Sequence, residues 1–290
     1  MPVGKVTAKT EVGFDNTLYI GGGNFKIVAI NPTKAEKEKL YPGRQFNEEP
    51  VYTADREGVK GIRIEFTLAS LDIDNLLIPV SFWLRAEKSK GSNSGKTEVI
   101  DNYTRTVWLT DDELNNHFIP KFPDGTAKID DKYRIAATGE SQLIKWIKNV
   151  LNVRDVIEYG KSTYIDKPED AEIYFGDIKK ILDGDISEIK DMWNLQPDAV
   201  FTAMIGVRTT ERGSFMSIYT GNMLKPGNAA GSATEKKISK IMRNIEDDKT
   251  RGSLADTDFE DAFIHEYKVD PTKLDEAINA KMPESDGLPF

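Results

Sequence analysis

Residues 61–68 read Gly-Ile-Arg-Ile-Glu-Phe-Thr-Leu, so Ile62, Ile64, Phe66 and Leu68 alternate with Arg63, Glu65 and Thr67. Successive side chains on a strand point to opposite faces, and this spacing predicts a strand with one apolar and one polar row. Residues 79–86 repeat the pattern: Val80, Phe82 and Leu84 share one parity, and Ser81, Trp83 and Arg85 share the other. Two half-buried strands in succession point to an antiparallel sheet with one face on a core. Upstream, residues 24–30 (Asn-Phe-Lys-Ile-Val-Ala-Ile) form a β-branched run ended by Asn31-Pro32, with a short helix expected over 33–40. Downstream, residues 88–96 are turn-rich and basic, and 97–110 supplies one or two further strands in which Asn102, Thr104, Thr106, Trp108 and Thr110 share a parity.

From Gly139 the period becomes helical, with Leu143, Trp146, Ile147, Val150 and Leu151 in one stripe. Helical signals continue through 168–194, including 177–182 and a capping-box start at 185–188. Strand patterns return at 199–210 and 213–222 around Glu211-Arg212, which reads as a hairpin. A Gly/Ala/Ser linker follows at 226–232, and short helices are expected at 235–245, at 257–264 behind a Thr257/Glu260 box, and at 271–280 behind Asp270. The expected fold is α+β: an OB-like antiparallel β-barrel or curved sheet with a helical insertion and a flexible acidic C-terminal tail. The sheet with its insertion, about 139–199, occupies residues 1–228, and the linker and tail occupy 229–290.

The formal charge of the 290 residues is −9. Residues 253–290 hold ten acidic and three basic side chains, so the acidity belongs to one end and the body is close to neutral. The chain has no cysteine and two histidines, His117 and His265, which removes disulfides, thiolate metal sites and cysteine nucleophiles. No apolar run reaches the roughly 18 residues of a membrane span, and the N-terminus has no apolar targeting segment, so a cytoplasmic protein without membrane contact is expected.

Phosphate and metal motifs are thin. Residues 91–97 (Gly-Ser-Asn-Ser-Gly-Lys-Thr) resemble a phosphate-binding loop, but three residues separate the glycines where four are needed, and strands flank them where a helix should follow. Gly21-Gly22-Gly23 lacks dinucleotide spacing and reads as a turn. The carboxylate pairs Asp72/Asp74, Asp111/Asp112 and Asp256/Asp258 read as a loop, the start of a short helix and part of the acidic end. No catalytic residue, metal ligand or cofactor is assigned, and a metal-dependent nucleic-acid enzyme stands as one alternative.

Two tryptophans carry more information. Trp83 and Trp108 lie in polar strand rows, so either a helix of the insertion buries the rings or a flat ligand covers them. Unpaired bases stack on such rings while nearby cations neutralise phosphates. Arg63, Arg85, Lys88, Lys90, Lys96 and Arg105 are the expected cationic neighbours, with Tyr103, Arg208, Arg212 and Tyr219 as second-rank candidates. At the other end, residues 284–290 (Glu-Ser-Asp-Gly-Leu-Pro-Phe) place carboxylates before an apolar plug. Phe290 suits a small apolar pocket whose basic rim takes the terminal carboxylate and Asp286; the alternative is an ordinary frayed terminus.

The order Leu288-Pro289-Phe290 behind acidic residues resembles the C-terminus of bacterial single-stranded-DNA-binding proteins, and the acidic, aromatic-ended tails of phage replication proteins with the same role. The acid run is thinner here, with Ser285 and Gly287 interrupting Glu284 and Asp286. The body from 61 to 110 and the returning hairpin are more loosely similar to phage proteins of that role built on an OB-fold. The resemblance implies a non-enzymatic protein that coats single-stranded DNA and recruits replication or recombination proteins through Asp286, Leu288, Pro289 and Phe290. A phage structural or assembly protein without DNA affinity is the other alternative.

Overall fold

The computed structural model describes residues 17–46, 52–56, 58–89, 95–101, 106–116, 118–122, 125–128, 133–150, 178–195, 199–210, 213–221, 225–226, 235–251, 254 and 257–273. The alternating stretches form strands β3 (Val59–Ser70) and β4 (Leu77–Lys88), joined as a hairpin in the register Ile62↔Leu84, Ile64↔Phe82, Phe66↔Val80 and Leu68↔Ile78. All these apolar residues are buried, so one face of the hairpin is core along its length.

Strand β1 (Leu18–Ile30) is longer than the β-branched run and includes Gly21, Gly22 and Gly23, correcting the expectation of a turn there. A glycine run weakens a strand through lost side-chain packing, but it also lets other segments approach closely. At Gly22 a β-carbon would lie 2.5 Å from Ile238 Cγ1, so the bare backbone is what admits that side chain. β1 pairs with β3 on one edge and with β11 (Val200–Thr210) on the other, and β11 pairs with β12 (Gly213–Ile218) in the expected hairpin.

The nine-stranded sheet runs β10 (Ala137–Thr138), β4, β3, β1, β11, β12. Strands β2 (Tyr52–Arg56), β13 (Lys225–Pro226) and β14 (His265–Tyr267) pair at the sides of β3, β11 and β1. The main pairings are antiparallel. The sheet curves enough to bring β12 within 8 Å of β4 between Cα atoms, but no ladder joins these two strands among the described residues. It is a curved sheet, not closed into a barrel. A bulge between Ile27 and Ala29 in β1 contributes to the bending. Strands β5 (Thr97–Asp101), β6 (Thr106–Leu109) and β9 (Tyr133–Ile135) form a separate three-stranded sheet, and β7 (Phe118–Phe122) pairs with β8 (Gly125–Lys128).

Helix α1 (Lys34–Leu40) starts at Thr33, whose hydroxyl accepts from the Glu36 N–H while Glu36 returns to the Thr33 N–H, a full capping box. α2 (Asp111–Asn116) follows β6 with Asp111 and Asp112 in its first turn. The helical region after Gly139 gives α3 (Glu140–Val150), α4 (Ile178–Leu182) and α5 (Ser187–Leu195). The stripe Leu143, Trp146, Ile147 and Val150 is buried as expected. Trp146 is fully enclosed, with Phe82, Phe66 and Phe201 ring centroids at 5.4, 5.6 and 6.1 Å. α3 thus plugs the concave side of the sheet.

On the convex side, α6 (Glu235–Thr250) buries Ile238, Ile241 and Ile245 against Met204 and Tyr219. Residues 257–264 do not form the expected helix. They run as an extended strap, with Asp258 exchanging backbone hydrogen bonds with Val207 and Ile264 donating to the Gly22 carbonyl. The open edges of β11 and β1 supply backbone partners there, which outweigh the local helix-start signal. Among the described residues, no helix is long and apolar enough to cross a membrane.

Candidate functional site

The outward row of β3 and β4 follows directly from their register. Arg63 lies opposite Trp83, Glu65 opposite Ser81 and Thr67 opposite Pro79, so these side chains share the convex face. The β4 half of this row is open: Pro79, Ser81 and Trp83 are exposed, Trp83 to 45%. The β3 half is roofed by α1. Lys37 reaches Glu65 at 3.0 Å with both side chains buried, and the Lys37 ammonium lies 5.8 Å from the Phe46 ring centre. Burial pushes the Tyr41 hydroxyl up to about 12, with the Glu65 charge adding to the shift. The result is an aromatic shelf on β4 beside a wall made by α1.

The cations of this shelf are accompanied by carboxylates. Arg63 Nη2 lies 3.7 Å from Glu65, and Arg85 donates to Glu87 at 3.1 Å. Lys88, at the end of β4 opposite Ala137, is exposed. Gly139 leads from β10 into α3 at φ 84°, and a β-carbon there would overlap the Trp83 carbonyl oxygen, so glycine lets α3 start against the backbone of the shelf.

Trp108 is also exposed, to 42%, on β6 opposite Glu98. It belongs to the three-stranded sheet, so the two tryptophans stand on different sheets. α3 packs on the concave side, away from the outward row of β4, and both rings are a little under half exposed. Lys96, half-buried, precedes β5. Arg208 is exposed on β11. Tyr219 is displaced from the candidate set: it is 4% exposed beneath α6, and its hydroxyl donates to Asp248, so it is a packing residue with a satisfied polar tip. Burial and this carboxylate push its ionisation upward. Tyr103, Lys90, Arg105, Arg212, Asp286, Leu288, Pro289 and Phe290 lie outside the described residues.

The carboxylates considered for metal chemistry are dispersed. Asp72 accepts from the Asn24 N–H at 2.5 Å and fixes the β3–β4 loop to β1, while Asp258 takes Lys273 at 2.6 Å and the Tyr267 hydroxyl at 3.1 Å. Asp111 and Asp112 lie at the start of α2, and Asp256 lies outside the described residues. Among the described residues, no group of three or more His, Asp or Glu side chains is placed to hold a metal ion.

Sequence reasoning passed over Phe215, the most exposed large apolar side chain among those described, at 51%. Its signal was available: in 213–218 it takes the parity of Gly213 and Ser217, while Met216 and Ile218 take the core side. It also passed over the Lys37–Glu65 pair, which joins residues far apart in the chain and leaves no periodic trace. Comparison of the chain with protein-family models, curated proteins and solved structures gives no match, so the site rests on its own geometry.

Proposed function

We propose that this chain binds single-stranded DNA through the convex face of β3 and β4 and works by equilibrium binding, without chemistry on its ligand. The observation that carries this reading is Trp83: a large ring, nearly half exposed on a rigid strand, with Arg63 directly across and Arg85 next along the row. Stacking of one base on such a ring is worth about 1–3 kcal/mol and is insensitive to sequence. A double-stranded ligand keeps its base faces stacked on each other and offers the ring nothing comparable.

Strand order supports the same reading. The path β4-β3-β1-β11-β12, edged by β10 at the end of β4, with β12 returning alongside β4 and an insertion between β4 and β11, is compatible with a partly open OB barrel. In that fold the second and third strands present the oligonucleotide-binding face, and on this reading those strands are β3 and β4. The acidic segment 253–290, with Leu288-Pro289-Phe290, adds a stretch suited to recruiting replication or recombination proteins to coated DNA in a phage-infected or bacterial cytoplasm.

The test is a titration of labelled oligo(dT) with the full chain at low and moderate salt. Salt-sensitive binding is expected, weakened about tenfold by Trp83→Ala and retained or strengthened when residues 284–290 are removed. No binding at low salt overturns the proposal and favours an assembly protein; metal-dependent loss of the oligonucleotide favours an enzyme.

A further inference from the structure

Phe215 and Arg208 form a second aromatic–cationic pair on the same convex face. They are direct cross-strand partners on β12 and β11, and both are exposed. Cross-strand neighbours have β-carbons about 5 Å apart, so a guanidinium and an aromatic ring leave the sheet here from adjacent positions on one face. Arg208 carries no ion pair among the described residues, in contrast to Arg63 and Arg85. Its charge is therefore available to an anion without displacing a carboxylate.

The pair sits on a rigid support. The ladder is continuous from Ile205↔Ile218 to Thr210↔Gly213, and side-chain hydrogen bonds Thr209–Ser214 (2.9 Å) and Thr210 to the Gly213 carbonyl (3.2 Å) brace its end. On the inner side the strap closes the face at Gly206, where a β-carbon would meet Phe259 at 2.5 Å and the Asp258 carbonyl at 2.7 Å. The uncovered part of the hairpin thus begins at Arg208 and Phe215. β12 comes within 8 Å of β4 between Cα atoms, which brings the outward face of this hairpin beside the outward face of β4.

Resting on the single-strand reading above, we propose that Phe215 and Arg208 are a second stacking and phosphate site for the same strand, so that the bound DNA crosses from β4 to β12. The occupant is a flexible polyanion with bare base faces, since the pair couples a cation that has no ion pair among the described residues to an exposed ring, on the strand that approaches β4. The contact adds reach as well as affinity.

The experiment compares wild type, Trp83→Ala, Phe215→Leu, Phe215→Tyr and Arg208→Ala as full chains against an oligo(dT) length series, with circular dichroism and sedimentation of each protein. Phe215→Leu keeps apolar bulk on the edge strand but loses the ring. It is expected to weaken binding of long oligonucleotides about tenfold and to make affinity level off at a shorter length, while Phe215→Tyr stays within about twofold of wild type. Arg208→Ala is expected to reduce the steepness of the salt dependence by about one phosphate contact. If Trp83→Ala weakens binding but Phe215→Leu changes neither affinity nor length dependence, the second site is refuted and the β3–β4 reading stands. If Phe215→Leu alters sedimentation of the free protein and leaves DNA affinity intact, the face belongs to a contact between copies and the inference is likewise refuted. If wild type fails to bind, both readings fall together.

Discussion

Replacing Glu65 by alanine tests whether α1 is held on the sheet by one buried ion pair. The Lys37 and Glu65 side chains are 7% and 11% exposed and 3.0 Å apart. Arg63 approaches the same carboxylate at 3.7 Å, so Glu65→Ala removes the carboxylate that two cations share and leaves the Lys37 ammonium with little water to solvate it. Breaking a buried pair by removing one partner costs about 3–5 kcal/mol. Residual solvent at both groups favours the lower end, about 3 kcal/mol. Lys37→Met is milder, about 1–2 kcal/mol, because Arg63 still compensates the carboxylate. The double variant Lys37→Met/Glu65→Leu should lie within about 1 kcal/mol of wild type, because packed apolar groups replace a desolvated pair at little net cost. The backbone at Glu65 is secured independently by Asn31, through Asn31 N–H to the Glu65 carbonyl at 2.8 Å and Glu65 N–H to Asn31 Oδ1 at 2.5 Å, so the strand survives these substitutions. Urea unfolding followed by tryptophan fluorescence gives the three differences, with unchanged denaturant slope as the control. With the Glu65→Leu single variant completing the cycle, additivity of the Lys37→Met and Glu65→Leu effects to within about 0.5 kcal/mol would show that the pair is not what holds the helix.

Two further outcomes follow from the geometry. Gly139→Ala should destabilise the protein by about 2–4 kcal/mol, since the new methyl group meets both a positive φ and the Trp83 carbonyl; a melting temperature unchanged within a degree would mean that the β10–α3 junction yields freely. In alkali, Tyr41 ionises later in the folded protein, at about 12, than in an unfolded chain at about 10, so its contribution is complete below about pH 10 and is lost as the pH rises to about 12. Tyr219 shifts in the same direction, so Tyr41→Phe should remove part of the alkaline decline in urea midpoint and leave the rest; an identical decline in the variant would refute the assignment.

Much of the fold was legible where a local pattern and the tertiary environment agree. The alternation in 61–68 and 79–86 marked the strand pair because one face meets water or a thin cover and the other meets the Trp146 plug. The Thr33/Glu36 box, the 205–218 hairpin and the apolar stripe of α3 were readable for the same reason. Gly21–Gly23 misled because glycine carries a turn signal, whereas here bare backbone makes room for Ile238 and the strap. The 257–264 segment misled because a capping box speaks only for its own turn and knows nothing of the open edges at Val207 and Gly22. Tyr219 looked like a surface aromatic because the helix that buries it begins sixteen residues later in the chain. Within the candidate site, Trp83 was found through its polar company, and Phe215 was missed although the same parity test selects it.

The arrangement of charge bears on how a chain of net charge −9 can hold a polyanion. On the β3–β4 face each arginine has a glutamate two residues along its own strand, and residues two apart share a face, so Arg63–Glu65 and Arg85–Glu87 are built into the pleat. A phosphate approaching either arginine competes with a carboxylate already in place, and counterion release per contact is correspondingly small. With screening over about 8 Å in physiological salt, the excess acid of residues 253–290 neither cancels nor strengthens that local field unless it lies nearby. Affinity on this face must then come mainly from the ring, with charge orienting the backbone. A salt dependence that corresponds to only a few phosphate contacts, coupled to a large loss on removing Trp83, is the signature of that division of labour. A steep salt dependence with Trp83 dispensable would instead place the DNA on cations outside this face.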